Sequence, residues 1–365
     1  KSLKKTKKVS SSSSSSSPSL SCLPDEIVLD CLVRVPRRDY ENLSCVSKRL
    51  RSLVRSPELH RLRSRLHKDS VYICIWERDN YSTDPTYLWF TLQRTTTTEY
   101  QLVPIPFPSR YFMFRSSTVA VDSEIYFVGG HPKPTELWIL DTRSGKLRQG
   151  PIMRKPRSVA RSAVGVVDGK MYVTQELKNG SIHEDVFDIQ SQTWKDAGVP
   201  VPDEKECTRD MVRSSVTLEG KVYAMNTGSI TVYNLRQGGR KEKLEMPIDD
   251  WVWCICVADN MLFAFFTKCG LMWLDTKRNI WRVVSGRMPR KLYGGAMVEY
   301  YGKLAVFWRQ EYIGARKKEE EKIWCALIAL GRIGEEEVGG TIEWSGVVAT
   351  IPYVCGFLHC LVASD

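Results

Sequence analysis

The amino-acid sequence predicts a mainly β fold, a six-bladed β-propeller preceded by a small α-helical module. Apolar residues follow helical spacing between residues 23 and 66. After residue 70 the chain changes to short apolar runs separated by Gly, Pro and Asn, and the pattern repeats six times at steps of 40 to 54 residues. Four strands per unit at such a period are typical of a propeller.

The second strand of each unit is the clearest repeated feature, because it is rich in aromatic residues. Asp168-Gly169 and Asp259-Asn260 each precede such a strand and are typical of two-residue hairpin turns, which require positive φ. The six second strands are predicted around residues 71–73, 125–127, 171–173, 222–224, 262–264 and 304–306.

Third and fourth strands are marked by an Asp or Asn that opens a turn and by a residue six positions later that anchors the next strand. The four pairs are Asp141 and Leu147, Asp188 and Trp194, Asn234 and Arg240, and Asp275 and Trp281. Tryptophans that recur in register with the repeat are interpreted as core residues. They are Trp138, Trp194, Trp273, Trp281 and Trp344.

The first unit lacks an inner strand, because residues 57–66 immediately before it follow a helical pattern. The apolar run 354–363 at the chain end follows the sixth unit and belongs to no repeat. We expect this run to supply the missing strand and to close the ring, which leaves no open edge between the first and last units.

The module at residues 23–66 is predicted to contain four short helices. Pro24 is expected at the first helical position, where its missing N–H costs nothing, and Pro36 and Pro57 are expected to end helices. Asp39 and Ser47 are candidate caps for the second and third helices. The predicted apolar faces are Ile27, Val28, Cys31, Leu32 and Val35; Tyr40, Leu43 and Val46; Leu50, Leu53 and Val54; and Leu59, Leu62 and Leu66.

A core of this size rarely stabilises a domain alone, and its apolar content exceeds what so few helices can bury. Two interpretations are equally compatible with the pattern. The module binds a partner with part of its apolar surface, or it packs as a cap on the large domain.

The module resembles an F-box, the domain that binds the Skp-family adaptor of SCF ubiquitin ligases and, through it, a cullin. The resemblance lies in Leu23-Pro24-Asp25-Glu26-Ile27, in Val35-Pro36, and in the segment from Leu43 to Leu59. Leu50 departs from it, since many F-boxes have an aromatic residue there. The resemblance implies that the adaptor contacts Leu23, Pro24, Ile27, Leu32, Val35, Pro36, Leu43, Val46, Leu50, Leu53 and Pro57.

The repeats are similar to kelch repeats in the degenerate form found in plant F-box proteins. The double glycine that follows the second strand in kelch repeats occurs once in register, at Gly129-Gly130. The resulting expectation is a six-bladed kelch-type β-propeller after an α-helical F-box module. Residues 1–20 are expected to form a disordered basic and Ser-rich tail, residues 21–67 the F-box, and residues 70–365 the propeller, closed by the C-terminal strand.

Charge and composition narrow the classes of partner. Residues 1–69 contain 16 Lys and Arg against 7 Asp and Glu, whereas the other 296 residues have nearly balanced charge, so we expect no nucleic-acid binding by the large domain. The run 4–8 is either a nuclear address or part of a solvated tail.

No apolar stretch is long enough to cross a membrane. Eleven cysteines without a C-x-x-C pair predict free thiols in the cytoplasm, the nucleus or both, and no metal or cofactor.

A partner protein is expected on the propeller face that carries the loops between second and third strands and the loops between blades. The candidate residues are Arg110, His131, Arg157, Arg209, Trp251 and Arg290. The arginines suit an acidic or phosphorylated segment, or they are ordinary solvated charges. Trp251 and Trp253 are out of register with the other tryptophans, and one of them is a candidate for the central opening.

The resemblance implies a substrate-recognition subunit of an SCF-type ubiquitin ligase, without catalytic residues of its own, that presents a protein for ubiquitination and proteasomal degradation. Two alternatives stay open. One is a propeller scaffold whose F-box serves a non-degradative assembly, and the other is a propeller enzyme, which would need a metal or a polar cluster in the central channel.

Overall fold

A computed structural model describes residues 23–35, 40–56, 58–59, 62, 69–77, 86–95, 99–105, 116–130, 134–153, 162–176, 182–196, 212–226, 228–235, 240–247, 249–288, 293–309, 320–334, 336–352 and 355–364. The chain divides into two compact units, residues 1–66 and 67–365.

The first unit is helical. Its helices are α1 (Asp25–Leu32), α2 (Tyr40–Val46) and α3 (Lys48–Val54), and Glu58, Leu59 and Leu62 are also helical. Both α1 and α2 pack on α3. The buried core of this unit consists of Val28, Leu29, Leu32, Val33, Tyr40, Leu53, Val54 and Leu59.

The predicted apolar face of α1 is partly wrong. Val28 and Leu32 are buried as expected, but Leu29 joins them, while Ile27 and Cys31 are exposed. The cause is that α3 covers only one side of α1. Neighbouring apolar residues such as Ile27 and Val28 therefore differ, the first exposed and the second buried. The expected face of α2 is wrong at its end as well, because Val46 is exposed.

Two polar contacts set the starts of α1 and α3. Pro24 is the residue before α1, not its first residue, and the Arg49 guanidinium reaches this start by donating to Leu23 O and to Asp25 Oδ1, the latter at 2.6 Å. Ser47 caps α3 by accepting from Leu50 N at 3.1 Å, which confirms that candidate cap. Pro36, Asp39, Pro57 and Leu66 lie outside the described residues.

The second unit consists of six four-stranded antiparallel sheets, which confirms the six-bladed propeller. In chain order its strands are β1 (Asp69–Glu77), β2 (Thr86–Arg94), β3 (Tyr100–Ile105), β4 (Ser117–Val121), β5 (Glu124–Val128), β6 (Leu137–Asp141), β7 (Lys146–Gln149), β8 (Ala163–Val167), β9 (Lys170–Glu176), β10 (Ile182–Asp188), β11 (Thr193–Asp196), β12 (Ser214–Leu218), β13 (Lys221–Met225), β14 (Ile230–Asn234), β15 (Arg240–Lys243), β16 (Val252–Ala258), β17 (Met261–Phe266), β18 (Gly270–Asp275), β19 (Ile280–Val283), β20 (Tyr293–Tyr300), β21 (Lys303–Arg309), β22 (Glu320–Ile333), β23 (Glu337–Pro352) and β24 (Cys355–Ser364).

Blade 1 contains β1, β2 and β3 together with β24, and each of blades 2 to 6 contains the next four strands, β4–β7 through β20–β23. The inner strands β4, β8, β12, β16, β20 and β24 contact one another in sequence around the ring. All six predicted second strands are present, as β1, β5, β9, β13, β17 and β21.

Tight turns join the first and second strands of blades 2 to 6. The predicted turns have positive φ at both central residues, with 49° at Asp168 and 70° at Gly169, and 46° at Asp259 and 54° at Asn260. Such angles match the twist of the flanking strands. The turns between third and fourth strands use the predicted carboxylates, because Asp141, Asp188 and Asp275 each accept from a backbone N–H two or three residues ahead.

Blade 1 has no tight turn between its first and second strands, because its inner strand comes from the other end of the chain. β24 pairs antiparallel with β1 from Asp69 opposite Ser364 to Glu77 opposite Cys355, the position that the sequence analysis assigned to it. β24 also contacts blade 2, where His359 Nδ1 lies 2.8 Å from Thr118 Oγ1 and Ser364 N donates to Asp122 O at 2.6 Å.

The recurrent tryptophans lie mainly at blade boundaries. Trp273 is buried in the core as predicted, but the other four are partly buried at its edge. Trp194 and Trp281, on the outer strands of blades 3 and 5, donate from Nε1 to Pro151 O at 2.8 Å and Glu245 O at 3.1 Å, both in the preceding blade. Each of these two indoles therefore bonds a blade to its predecessor.

Removal of residues 355–365 is expected to abolish the cooperative unfolding of the propeller. The deletion exposes one edge of β1 and uncovers apolar side chains worth about 1.5–3 kcal/mol each, so that a few of them equal the total stability of a typical domain, about 5–15 kcal/mol. Calorimetry and near-UV circular dichroism would measure the loss.

A permuted chain supplies the control. Because Ser364 lies opposite Asp69, residues 355–364 can be joined to Asp69 by an Asn-Gly turn like those of the other blades. The permuted propeller should unfold cooperatively. A truncated chain that melts like the full one would show that the closing strand is dispensable.

Candidate functional site

Among its described residues, the helical unit exposes three large apolar side chains that its own core does not use. The exposed fractions are 37% for Leu23, 46% for Ile27 and 71% for Val46. Leu23 lies two residues before α1, and Ile27 lies in its first turn. Val46 ends α2, three residues before Arg49, whose guanidinium bonds to Leu23 O. The α2–α3 junction thus lies beside the start of α1.

The remaining residues implied by the F-box resemblance occupy different environments. Pro24 is exposed, whereas Leu32 and Leu53 are buried in the core of the unit and Val35, Leu43 and Leu50 are partly buried against it. Pro36 and Pro57 lie outside the described residues. A direct contact with a partner is therefore available to Leu23, Pro24, Ile27 and Val46, while Leu32 and Leu53 support the helices from within.

On the long-loop face of the propeller, the described part of the chain contains one of the six candidate residues. Arg110, His131, Arg157, Arg209 and Arg290 lie outside the described residues. Trp251 is described, and 58% of its surface is exposed. It immediately precedes β16, the inner strand of blade 5, and its ring lies against Gly228 in the loop between β13 and β14 of blade 4.

Asp250 fixes the position of Trp251. Its carboxylate is buried and accepts from Trp251 N at 2.8 Å, from Lys268 N at 2.8 Å and from Cys269 N at 2.8 Å. Trp251 O in turn accepts from Thr267 N at 2.9 Å and Thr267 Oγ1 at 3.1 Å. These bonds join the segment before β16 to the loop between β17 and β18.

The hydrogen bonds also determine the ionisation of this cluster. Burial acts to raise the pKa of Asp250, but the N–H groups of Lys268 and Cys269 outweigh it and hold the pKa below its usual range. Burial and the adjacent Asp250 raise the pKa of the Cys269 thiol. At neutral pH the carboxylate is therefore charged, and the thiol is protonated and a weak nucleophile.

Sequence reasoning selected Trp251 but missed Asp250 and Gly228. Asp250 belongs to the segment Pro247-Ile248-Asp249-Asp250, in which the two acids look equivalent. Their difference arises from a loop 18 residues further along the chain, and no local pattern in the sequence signals it.

A cleft of about 340 Å³ lies on the opposite, tight-turn face and is lined by residues of blades 4, 5 and 6. Three of its charged residues are paired, because Arg278 pairs with Glu336 and Asp275, and the neighbouring Arg282 pairs with the same two acids. This pairing holds the turn between β22 and β23 onto blade 5.

Among the described residues, no three His, Cys, Asp or Glu side chains are grouped as metal ligands. The helices in the described part of the chain are too short or too polar to span a membrane.

Comparison with known proteins matches both units of the chain. The family model described as FKB95, Kelch-repeats domain, matches residues 89–349, and the F-box domain model matches residues 20–62. A putative F-box/kelch-repeat protein of Arabidopsis thaliana is 68% identical over 367 residues, which cover 95% of this chain and 98% of the relative. A second F-box/kelch-repeat protein of that plant is 40% identical over 360 residues, covering 95% and 94%.

Substitution of Asp250 by Asn should destabilise the propeller by about 1–3 kcal/mol at neutral pH, because the NH2 group that replaces one carboxylate oxygen cannot accept, so a buried backbone N–H such as that of Cys269 loses its acceptor. A depressed pKa in the folded state means that the stabilising effect is complete above the unfolded pKa of about 4 and disappears as the pH falls through the folded value. The difference between the two proteins should therefore shrink on acidification. Denaturant unfolding at several pH values measures it.

Asp249 to Asn is the matched control, because Asp249 is exposed and forms no hydrogen bond within the described chain. Its unfolding free energy should stay within about 0.5 kcal/mol of the wild-type value. Equal effects of the two substitutions would contradict the role assigned to Asp250.

Proposed function

Because the chain belongs to the F-box/kelch-repeat family, we propose that it is the substrate-recognition subunit of an SCF-type ubiquitin ligase. In this proposal the F-box binds a Skp-family adaptor, and through it a cullin, while the propeller holds the protein to be ubiquitinated for proteasomal degradation. The observation that carries the proposal is the exposed apolar set Leu23, Ile27 and Val46 in a unit with a core of its own.

The size and chemistry of that exposed set support adaptor binding. Full burial of an exposed Leu, Ile or Val side chain is worth about 1.5–3 kcal/mol, so these three partly exposed side chains each contribute a share of that when a complementary adaptor surface covers them. The same residues are at the positions that the F-box resemblance assigns to the adaptor interface.

The proposed role requires no chemistry from the chain itself. A receptor of this kind accelerates ubiquitin transfer by raising the effective concentration of a substrate lysine near a ubiquitin-loaded enzyme on the same scaffold. The propeller suits such a role, because its closed ring gives the recognition loops a rigid base. We propose a location in the cytoplasm, the nucleus or both, where its cysteines would remain reduced.

Substitution of Ile27 or Val46 by Asp should weaken binding to a recombinant Skp-family adaptor at least about tenfold, because a charge is placed in an apolar contact. Affinity is measured by pull-down and by calorimetric titration. Ile152, 60% exposed on the propeller, supplies the matched control, and Ile152→Asp should bind the adaptor like the wild type. If the wild-type chain binds no Skp-family adaptor, the receptor proposal is wrong.

A second experiment distinguishes the degradative receptor from the non-degradative scaffold. Proteins labelled by proximity to the wild-type chain are compared with those labelled by the Ile27→Asp variant, with and without a proteasome inhibitor. A substrate should accumulate on inhibition with the wild type and be stable without inhibition in the variant. Partners whose amounts do not respond to the inhibitor would favour the scaffold.

A further inference from the structure

Trp251 is an exposed aromatic residue whose backbone is held by hydrogen bonds. An exposed indole normally loses conformational entropy when a partner immobilises it. Here the N–H and carbonyl of Trp251 are both bonded, to Asp250 and to Thr267, so the backbone is already ordered. Tryptophan is one of the residues enriched at binding hot spots, and a backbone that is already ordered lowers the entropy lost on binding.

Gly228 provides the surface on which the indole lies. Its φ is +89°, and a Cβ atom at this position would lie 3.3 Å from Trp251 Cε3 and Cζ3. A side chain here would therefore strain the backbone and press on the ring. One face of the indole is thus supported by blade 4, and the ring keeps more than half of its surface for a partner.

The charges around the ring favour a cation. Asp249 is exposed and forms no ion pair within the described part of the chain, and Asp250 remains ionised because backbone N–H groups stabilise its charge. Lys268 supplies one positive charge nearby, which leaves the cluster net negative. The face of an indole is itself electron-rich and is the best aromatic partner for a cation. No basic side chain of the described chain is stacked on Trp251.

We propose that Trp251 and Asp249 bind an arginine side chain of the protein substrate. A guanidinium is planar, stacks on an aromatic face and pairs with a carboxylate at the same time, whereas an ammonium is a compact and more strongly hydrated charge. This inference rests on the proposed function for the identity of the partner as a substrate. This part of the face would therefore bind a basic side chain, whereas the arginines of the other loops suit an acidic segment.

The test uses the full-length chain and four fluorescein-labelled peptides with the repeat Gly-Ser-Xaa, in which Xaa is Arg, Lys, Leu or Glu. Fluorescence anisotropy should show the tightest binding for the Arg peptide. Trp251→Ala and Asp249→Lys should each weaken it about five- to tenfold, and Gly228→Ala, which displaces the ring, should weaken it less. Lys268→Glu, which removes the positive charge, should strengthen it.

Ile152→Ala is the matched control, since it removes another exposed apolar side chain of the same face and should leave binding unchanged. Thermal unfolding of each variant checks the fold. Equal binding of the Leu peptide would indicate an apolar anchor, and preference for the Glu peptide an acidic segment. Either result, or Arg-peptide binding unaffected by Trp251→Ala, or absence of binding by every peptide, overturns the proposal.

Adaptor binding measured on the same proteins keeps the two proposals separate. Trp251→Ala should bind the Skp-family adaptor like the wild type. Failure of the wild type to bind the adaptor would reject the receptor function while arginine binding could still be observed. If the adaptor binds normally and Trp251→Ala leaves the affinity for the Arg peptide unchanged, only the arginine site is rejected.

Discussion

The pairing of β24 with β1 is the interaction on which the rest of the propeller depends. It joins residues about 290 positions apart along the full length of both strands, and it gives blade 1 the inner strand that the other blades obtain from a local hairpin. Without it, the inner strands β20 and β4 would flank a blade with an open edge. Joining two strands so distant in sequence costs loop-closure entropy, and this cost arises before the interfaces of blade 1 with its neighbours contribute any stability. The stability of the ring is therefore strongly cooperative.

Closure also explains why the surface around Trp251 can be built from short, separate segments. Trp251, Gly228 and Thr267 come from two blades and three loops, and their relative positions are maintained because the inner strands of those blades belong to one ring. Asp250 then completes the arrangement with three short hydrogen bonds. A buried carboxylate is costly unless it is fully bonded, and here its bonds hold the aromatic residue that faces solvent.

The sequence was sufficient wherever the physics is local. Asp168-Gly169 and Asp259-Asn260 tolerate positive φ by their own chemistry, so the tight turns, and with them the blades, were predictable. Helix α1 was not, because Ile27, Val28, Leu29, Cys31 and Leu32 cover more than one face, and only packing on α3 decides which of them is buried. Asp250 could not be distinguished from Asp249 either, since its partners belong to another loop. The other five candidates of the propeller face lie outside the described residues.

The two candidate surfaces differ in a way that matters for a receptor. Leu23, Ile27 and Val46 are apolar and lie at the start of α1 and the end of α2, a composition suited to a contact that stays buried. The proposed arginine site at Trp251 and Asp249 is small, charged and aromatic, and its salt-sensitive attraction would speed encounter more than it would prolong residence. A ligase subunit must keep its adaptor while exchanging substrates, and released products must leave for turnover to continue. In the proposed receptor, the chemical contrast between the two surfaces would provide that difference in lifetime.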